Sequence, residues 1–303
     1  MRTYKIELLL VRHGYSCANI VRDTIGSTDL SHGILLPSST YAPDSVLSDH
    51  GIQQVHALRQ STVYTDNLQP VHVVFASELI RAIETAAILF GNDKTIHVMP
   101  CINESRDWLF ELFDLDTDNS SLGLANTKKH IEGKFRGAHI DYEFLVAYKQ
   151  GRDTIEHASV ERFFDTVLPR FVATHPLVFD TKRTTKMCMV SHYKFITAML
   201  EHLGATNQGH ITNTATYRVM INLELDDEGK YIAIKPHGDV VRLYPMQLNT
   251  HEHNKAKQLD LSGYARCGER LAHRLESIPV VTRSGGGGYN GMYVANKAKY
   301  IEL

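Results

Sequence analysis

The stretch LLLVRHGYSCAN, residues 8–19, decides the fold and indicates where a functional site lies. Four apolar residues are followed directly by an arginine, a histidine and a glycine. A continuous apolar run is typical of a strand inside a parallel sheet whose two faces are both covered by helices. Ligands of such sheets bind beyond the carboxyl ends of the strands. The stretch therefore predicts a buried strand that delivers Arg12 and His13 to a binding site.

The rest of the chain repeats this pattern of apolar runs and helical segments. Further apolar runs occur at 71–76, 96–99 and 187–190. The helical segments between them are predicted to begin at Ser48, at Ser77 as an N-terminal cap, at Val160 and at about His192. The third helix is expected to kink or end at Pro169. This alternation predicts an α/β three-layer sandwich with a mostly parallel central sheet and helices on both faces.

One later stretch has a different pattern. Apolar and polar residues alternate from Tyr217 to Leu225, as in a strand with one solvated face. We therefore expect this strand at an edge of the sheet.

Composition excludes several classes of protein. The chain has 303 residues, of which 43% are hydrophobic, and a formal net charge of −2. A large core is therefore possible, and no clustered basic excess predicts binding to nucleic acid or to an anionic membrane surface. No apolar run approaches the roughly 20 residues that span a bilayer, and the N-terminus lacks a signal-peptide core. Nothing in the sequence predicts an oligomeric state.

The cysteines bear on the compartment. Cys17, Cys101, Cys188 and Cys267 are far apart and form no C-x-x-C pair. This spacing predicts free thiols in a reducing compartment and hence a cytoplasmic protein. Cys17, four residues after His13, is interpreted as a packing residue.

The chain divides into a main domain, an insertion and a tail. Residues 1–245 are predicted to form one domain, in which about 106–150 is interpreted as a helical lid insertion. Residues 246–303 are a C-terminal extension that is expected to be partly flexible, because it contains the glycine run 285–288. The cluster His251-Glu252-His253 lacks companion ligands at metal-site spacing and is interpreted as a solvated segment.

Several strand ends carry chemically active residues to the same edge of the predicted sheet. These residues are Arg12, His13, Arg81, Glu104 and His192. The helix N-termini that gather at such an edge favour an anion. Two arginines, two histidines and a carboxylate at this place predict a phosphate site.

The order of the motifs resembles that of a known family. The motifs are R-H-G at 12–14 with Ser16 and Asn19, L-S-D-H-G at 47–51, S-E-L-I-R-A-I-E-T-A at 77–86, N-E at 103–104 and V-S-H at 190–192. Together they resemble the histidine phosphatase superfamily, the phosphoglycerate mutase-like group, from about Lys5 to Pro245. The sequence differs from the usual pattern at Tyr193, where a glycine commonly follows the second histidine, and at Glu84, where glutamine is frequent.

The resemblance implies a role for each matched residue. It implies that His13 is the nucleophile, that Glu104 is the proton donor, and that Arg12, Asn19, Arg81 and His192 bind the phosphoryl oxygens. A neutral imidazole nitrogen can attack phosphorus and form a phosphohistidine, which the second step hydrolyses. Neighbouring cations favour the neutral form of His13. No metal or cofactor is required by this chemistry. Glu111 lies near enough in sequence to be an alternative to Glu104.

The sequence thus predicts a metal-independent phosphatase that hydrolyses a phosphomonoester, carried by a small molecule or a phosphoprotein. A phosphoglycerate mutase is an alternative, because it shares the same core. The segment after Glu104 argues against it, since that segment is acidic and aromatic rather than basic. A catalytically inactive phosphate-binding or scaffold protein is the alternative outside enzymes.

Overall fold

The computed structural model describes residues 1–19, 44–104, 124–150, 158–205 and 209–245, together with Cys267. Eight strands form one sheet in the order β4-β3-β2-β5-β1-β6-β7, with β8 paired to β6. The strands are β1 Arg2–Arg12, β2 Val73–Ser77, β3 Thr95–Met99, β4 His139–Asp141, β5 Thr184–Ser191, β6 Thr216–Leu225, β7 Tyr231–Pro236 and β8 Val241–Tyr244. The five strands from β4 to β1 are parallel, and β6 to β8 are antiparallel. The predicted mostly parallel sheet is confirmed.

Apolar side chains of the central strand β1 leave alternately toward the two faces of the sheet. Leu8 and Leu10 pack in one core cluster, whereas Leu9 and Val11 pack in the other. Side chains of a strand alternate between faces, so a strand that is buried on both sides must be apolar at every position. This explains why the run from Leu8 to Val11 is continuous.

Helices cover both faces, as predicted. They are α1 Asp49–Arg59, α2 Ile80–Phe90, α3 Leu124–Lys134, α4 Glu143–Lys149, α5 Val160–Arg162, α6 Leu168–Thr174 and α7 Tyr193–His202, with π-helical turns at Tyr64–Leu68 and Phe163–Val167. Residues of α1 and α2 pack in one cluster, and residues of α5 to α7 in the other. None of the described helices has both the length and the apolar character needed to cross a bilayer.

Two predictions about helix ends are wrong. Ser77 does not cap α2: it ends β2, and the cap position of α2 is Leu79. The helical run from α5 to α6 also continues through Pro169, which stands in the first turn of α6 after the π-helical turn. Proline is tolerated in a first helical turn because the N–H that it lacks is not needed there. Ser48 does cap α1, because its side chain accepts a hydrogen bond from the backbone N–H of Gly51.

The prediction that the alternating strand β6 lies at an edge of the sheet is wrong. It lies between β1 on one side and β7 and β8 on the other. Its burial still alternates, with Tyr217, Val219 and Ile221 buried and the residues between them partly exposed. Alternation therefore reports a partly solvated face of the sheet, and it does not distinguish an internal strand from an edge strand.

The prediction of four free thiols is wrong for two of them. Cys17 and Cys267 form a disulfide across a sequence separation of 250 residues, whereas Cys101 and Cys188 are buried thiols outside any disulfide. Sequence spacing did not reveal this pair because the fold, and not the local sequence, brings the two residues together. Cys17 thus connects the C-terminal extension to the segment that follows His13.

The segment assigned to a lid lies partly in the sheet. β4 extends the sheet beyond β3, and α3 and α4 flank β4 in the chain. Residues 105–123 lie outside the described residues, as do the His251-Glu252-His253 cluster and the glycine run. The lid and the flexible extension therefore stay predictions.

Candidate active site

The carboxyl ends of three neighbouring strands meet at one level of the sheet. Arg12, at the end of β1, pairs in register with Ser191, at the end of β5. Ala76 of β2 is aligned with Val190 of β5, so Ser77 lies at the same edge. Because parallel strands end together here, the residues that follow them are brought close to one another.

His13 is held in a defined orientation. Its Nδ1 lies 2.7 Å from the carbonyl oxygen of Gly14, and its Nε2 accepts a hydrogen bond from Nε of Arg81 at 3.3 Å. A carbonyl can only accept, so Nδ1 must carry the proton. The lone pair of the ring therefore lies on Nε2, where it accepts from Arg81. A histidine in this form can act as a nucleophile.

The two motif glycines allow the loop after β1 to approach α1. A Cβ atom on Gly14 would lie 2.8 Å from the carbonyl oxygen of Gly51, and a Cβ atom on Gly51 would lie 2.0 Å from that of Tyr15. Side chains at these positions would force the two segments apart. The glycines thus serve close packing that holds the backbone of His13 in place.

Both predicted arginines lie at this edge. Arg12 is buried, its Nη1 donates to the carbonyl oxygen of Ile211, and its guanidinium lies 5.3 Å from the ring centroid of Tyr193. Burial lowers the pKa of Arg81, and the charges of Glu104 and Asp44 oppose this effect. An arginine remains protonated in proteins, so both guanidiniums are available as cations.

His192 lies beside His13 and is completely buried. The two ring centroids are 5.0 Å apart, and Nε2 of His192 lies 2.7 Å from Oγ of Ser77. Burial lowers the pKa of His192 well below its ordinary value, and the positive charges of Arg81, His13 and Arg12 lower it further. His192 is therefore neutral in the unliganded site.

Glu104 is placed at the same point by its contact with α7. One of its carboxylate oxygens accepts a hydrogen bond from the backbone N–H of Lys194 at 2.9 Å, in the first turn of that helix. A carboxylate at a helix N-terminus is stabilised by the helix dipole. Glu111, the alternative acid, lies outside the described residues.

Asn19 is buried near the backbone of the nucleophile. Its Oδ1 accepts from the backbone N–H and the hydroxyl of Ser16, at 2.9 and 3.0 Å. Nδ2 of Asn213 donates to the carbonyl oxygen of His13 at 3.0 Å and lies 3.4 Å from Oδ1 of Asn19. These bonds use the amide oxygen of Asn19 and leave its NH2 group as the part that can donate to an anion.

The same cluster also contains atoms that metal ions bind. His13, Glu104 and His192 each offer one nitrogen or carboxylate oxygen, and these atoms all lie within 4.8 Å of one another. The guanidiniums of Arg12 and Arg81 accompany this set. Two cations favour an anion at this place and disfavour a further cation. The arrangement fits a phosphoryl group best.

Several residues near the site were not predicted from the sequence. Oδ1 of Asp44 accepts from the backbone N–H of Ile80 at 2.6 Å and so caps the helix that carries Arg81. The buried carboxylate of Glu84 accepts from the backbone N–H of Leu47 at 2.6 Å and contacts Nε2 of His130 at 3.0 Å. An acid before a helix start could have indicated the cap, but Asp44 is far from Ile80 in sequence.

Comparison with known proteins tests the family resemblance. Residues 8–108 match the model of the "Histidine phosphatase superfamily (branch 1)", which confirms the resemblance over that part of the chain. No curated protein matches the chain.

The chain is similar to several solved structures, at low sequence identity and with TM-scores below 0.5. A mycobacterial glucosyl-3-phosphoglycerate phosphatase is 19% identical, with 79% of this chain and 98% of that chain covered and a TM-score of 0.38. A phosphoserine phosphatase from Entamoeba histolytica is 18% identical, with 77% of this chain and 98% of that chain covered and a TM-score of 0.35. A phosphoglycerate mutase from Bacillus anthracis is 14% identical, with 78% of this chain and 95% of that chain covered and a TM-score of 0.39.

Proposed function

We propose that this protein is a phosphatase that hydrolyses a phosphomonoester through a phosphohistidine on Nε2 of His13. The observation that carries the proposal is the orientation of His13. Its Nδ1 carries the proton and donates to the carbonyl oxygen of Gly14, and its Nε2 carries the lone pair and accepts a hydrogen bond from Nε of Arg81. A nucleophile needs both the lone pair and a positive charge for the phosphoryl oxygens at this position.

In the first step Nε2 of His13 attacks phosphorus, and the bond from phosphorus to the ester oxygen breaks. Arg12, Arg81, His192 and Asn19 bind the phosphoryl oxygens, and positioning and electrostatics provide most of the acceleration. Glu104 donates its proton to the leaving oxygen.

In the second step water attacks the phosphohistidine, and the ionised Glu104 accepts its proton. The bond between phosphorus and Nε2 of His13 breaks, which restores the lone pair of Nε2 and releases inorganic phosphate. No step requires a metal or a cofactor, and the substrate class is a phosphorylated small molecule or a phosphoprotein.

The test compares wild type with His13→Ala and with His237→Ala, which removes an exposed histidine. We expect turnover of p-nitrophenyl phosphate by wild type and His237→Ala in the presence of EDTA. His13→Ala should lose at least about three orders of magnitude, as covalent nucleophiles do. Equal activity of His13→Ala and His237→Ala would refute the proposal, and so would the absence of turnover with every phosphomonoester in a broad panel.

The mutase alternative shares the first step and differs in the acceptor. Turnover in ¹⁸O-labelled water should place one ¹⁸O atom in each released phosphate if water is the acceptor. Transfer to a second hydroxylated substrate, with no ¹⁸O in free phosphate, would instead identify a mutase.

A further inference from the structure

A row of buried hydrogen bonds connects α4 with the candidate active site. Lys149, the last residue of α4, forms an ion pair with Glu78. Glu78 Oε1 accepts from Nδ2 of Asn103 at 2.7 Å, and Oδ1 of Asn103 lies 2.7 Å from Oγ of Ser77. Ser77 Oγ lies 2.7 Å from Nε2 of His192. All five residues are buried, so water does not compete for these bonds.

The positions of the protons follow from the chemistry of these groups. A carboxylate only accepts, so the NH2 group of Asn103 must face Glu78 and its amide oxygen must face Ser77. The backbone N–H of Glu78 also donates to that oxygen, at 3.3 Å, and this longer bond favours the same orientation without being sufficient to fix it. The contact between Oγ of Ser77 and Oδ1 of Asn103 joins two oxygens, so the hydroxyl group of Ser77 must donate its proton to it. This hydroxyl has no second proton, so Nε2 of His192 must supply the proton of the last contact.

Neutral His192 therefore carries its proton on Nε2 and a lone pair on Nδ1. Nδ1 is buried and has no hydrogen-bond partner among the residues that the structure describes. The groups around the ring are Arg12 at the end of β1, His13 directly after it, Arg81 from α2 and Glu104 after β3. A bare lone pair would repel a phosphoryl oxygen, whereas a protonated Nδ1 would donate to it.

We propose that Lys149 and Glu78 are positioning residues that keep the proton of His192 on Nε2, so that Nδ1 takes up a second proton when a phosphate group binds. The step adds one proton from solvent to the Nδ1 lone pair, and the resulting N–H donates to a phosphoryl oxygen. No other bond changes. The inference rests on the proposed function only in taking phosphate as the ligand.

Lys149 has a separate part in this arrangement. A buried carboxylate is strongly disfavoured without a partner charge and moves toward solvent when that charge is removed. Glu78 would then no longer accept from the NH2 group of Asn103, and the amide of Asn103 would be able to reverse. Ser77 would then be free to donate to Nε2, and the proton of neutral His192 would move to Nδ1. The ammonium group of Lys149 prevents this by holding the carboxylate of Glu78 against Asn103.

The direct test is ¹⁵N NMR of the histidine side chains, which distinguishes the two neutral tautomers without any turnover. The signal of His192 is assigned from its loss in His192→Asn. In wild type we expect the Nε2–H tautomer, and protonation of both nitrogens once orthovanadate is added. In Glu78→Gln and Lys149→Met we expect a loss of the Nε2–H tautomer in favour of Nδ1–H. The matched control is Lys186→Met, which breaks the ion pair of Lys186 with Glu7 near the other end of the strands.

The second readout is the uptake of protons when inorganic phosphate binds, from calorimetry in buffers of different ionisation enthalpy. Wild type and Lys186→Met should take up about one proton beyond that expected of phosphate itself. Glu78→Gln and Lys149→Met should take up less than half as much.

Two results would overturn the proposal. One is an Nδ1–H tautomer of His192 in wild type, a result that does not depend on whether any variant folds. The other is a folded Glu78→Gln variant with unchanged tautomer and proton uptake. A chain without phosphatase activity but with the expected tautomer would refute the proposed function and leave this inference intact.

Discussion

Replacement of Arg81 tests whether its guanidinium binds the reacting phosphoryl group. Nε of Arg81 lies 3.3 Å from Nε2 of His13, so a phosphorus atom bonded to that nitrogen would lie within reach of the guanidinium. A bidentate arginine makes two charge-assisted hydrogen bonds, each of about 1.5–3 kcal/mol. Arg81→Ala should therefore lose about 3–6 kcal/mol, which corresponds to about 10²- to 10⁴-fold in kcat/KM.

Arg81→Lys separates charge from geometry. A lysine restores the positive charge but not the planar pair of donors, so we expect it to recover only part of the loss. The matched control is Arg59→Ala at the end of α1, which loses a bond to the carbonyl oxygen of Ile88 and a partly exposed ion pair with Asp93.

The assay measures kcat/KM with p-nitrophenyl phosphate and the inhibition constant of orthovanadate, with circular dichroism as a check on folding. Arg59→Ala should stay within about threefold of wild type, because exposed ion pairs contribute little. A folded Arg81→Ala variant that loses less than about tenfold, or no more than Arg59→Ala, would refute the assigned role.

Three further predictions concern the acid, the disulfide and the motif glycines. Glu104→Gln should slow hydrolysis of an alkyl phosphate much more than that of a nitrophenyl phosphate, because only the poor leaving group needs a proton; equal losses would place the acid elsewhere. Cys267→Ser should lower the Tm in non-reducing buffer and make the Tm independent of reductant. The disulfide with Cys17 closes a loop across 250 residues, and such a loop contributes up to about 5 kcal/mol to the free energy of unfolding. A Tm unchanged from wild type would contradict the disulfide. Gly51→Ala should lower the free energy of unfolding in urea by about 1–3 kcal/mol, because its Cβ would lie 2.0 Å from a carbonyl oxygen. The control is Gly133→Ala, in α3 with open space around it, which should be neutral or stabilising by up to about 1 kcal/mol. Equal effects of the two substitutions would contradict the close packing at Gly51.

The buried parallel strands were the most predictable part of the fold. A strand that is covered on both faces must be apolar throughout, so β1 and β5 are visible in the sequence without any knowledge of their partners. Strand β6 shows the limit of this reasoning. Its alternation correctly indicates one partly solvated face, but the pairing with β7 and β8 that makes it internal depends on residues elsewhere in the chain.

The predicted site residues came from strand ends and motif order, and the structure brings His13, Arg81, Glu104 and His192 together. The supporting residues could not be predicted in this way. Lys149 lies 71 positions from Glu78, and nothing in the local sequence of either residue indicates the other.

The prediction that Ser77 caps α2 is wrong for a related reason. Serine before a helix is a common cap, and only the folded structure shows that its hydroxyl contacts Asn103 and His192. The Cys17–Cys267 disulfide was missed because spacing alone does not reveal cysteines that the fold brings together.

The most direct test of the central claim is capture of the phosphoenzyme. Wild-type protein would be mixed with a ³²P-labelled phosphomonoester, quenched within milliseconds in alkaline denaturant, and digested for mass spectrometry. The proposed mechanism predicts an acid-labile, alkali-stable phosphoryl group on His13, which forms before the leaving alcohol accumulates beyond one equivalent and is absent in His13→Ala. Hydrolysis by a wild-type enzyme that carries no label at any quench time, or a label on a residue other than His13, would contradict it.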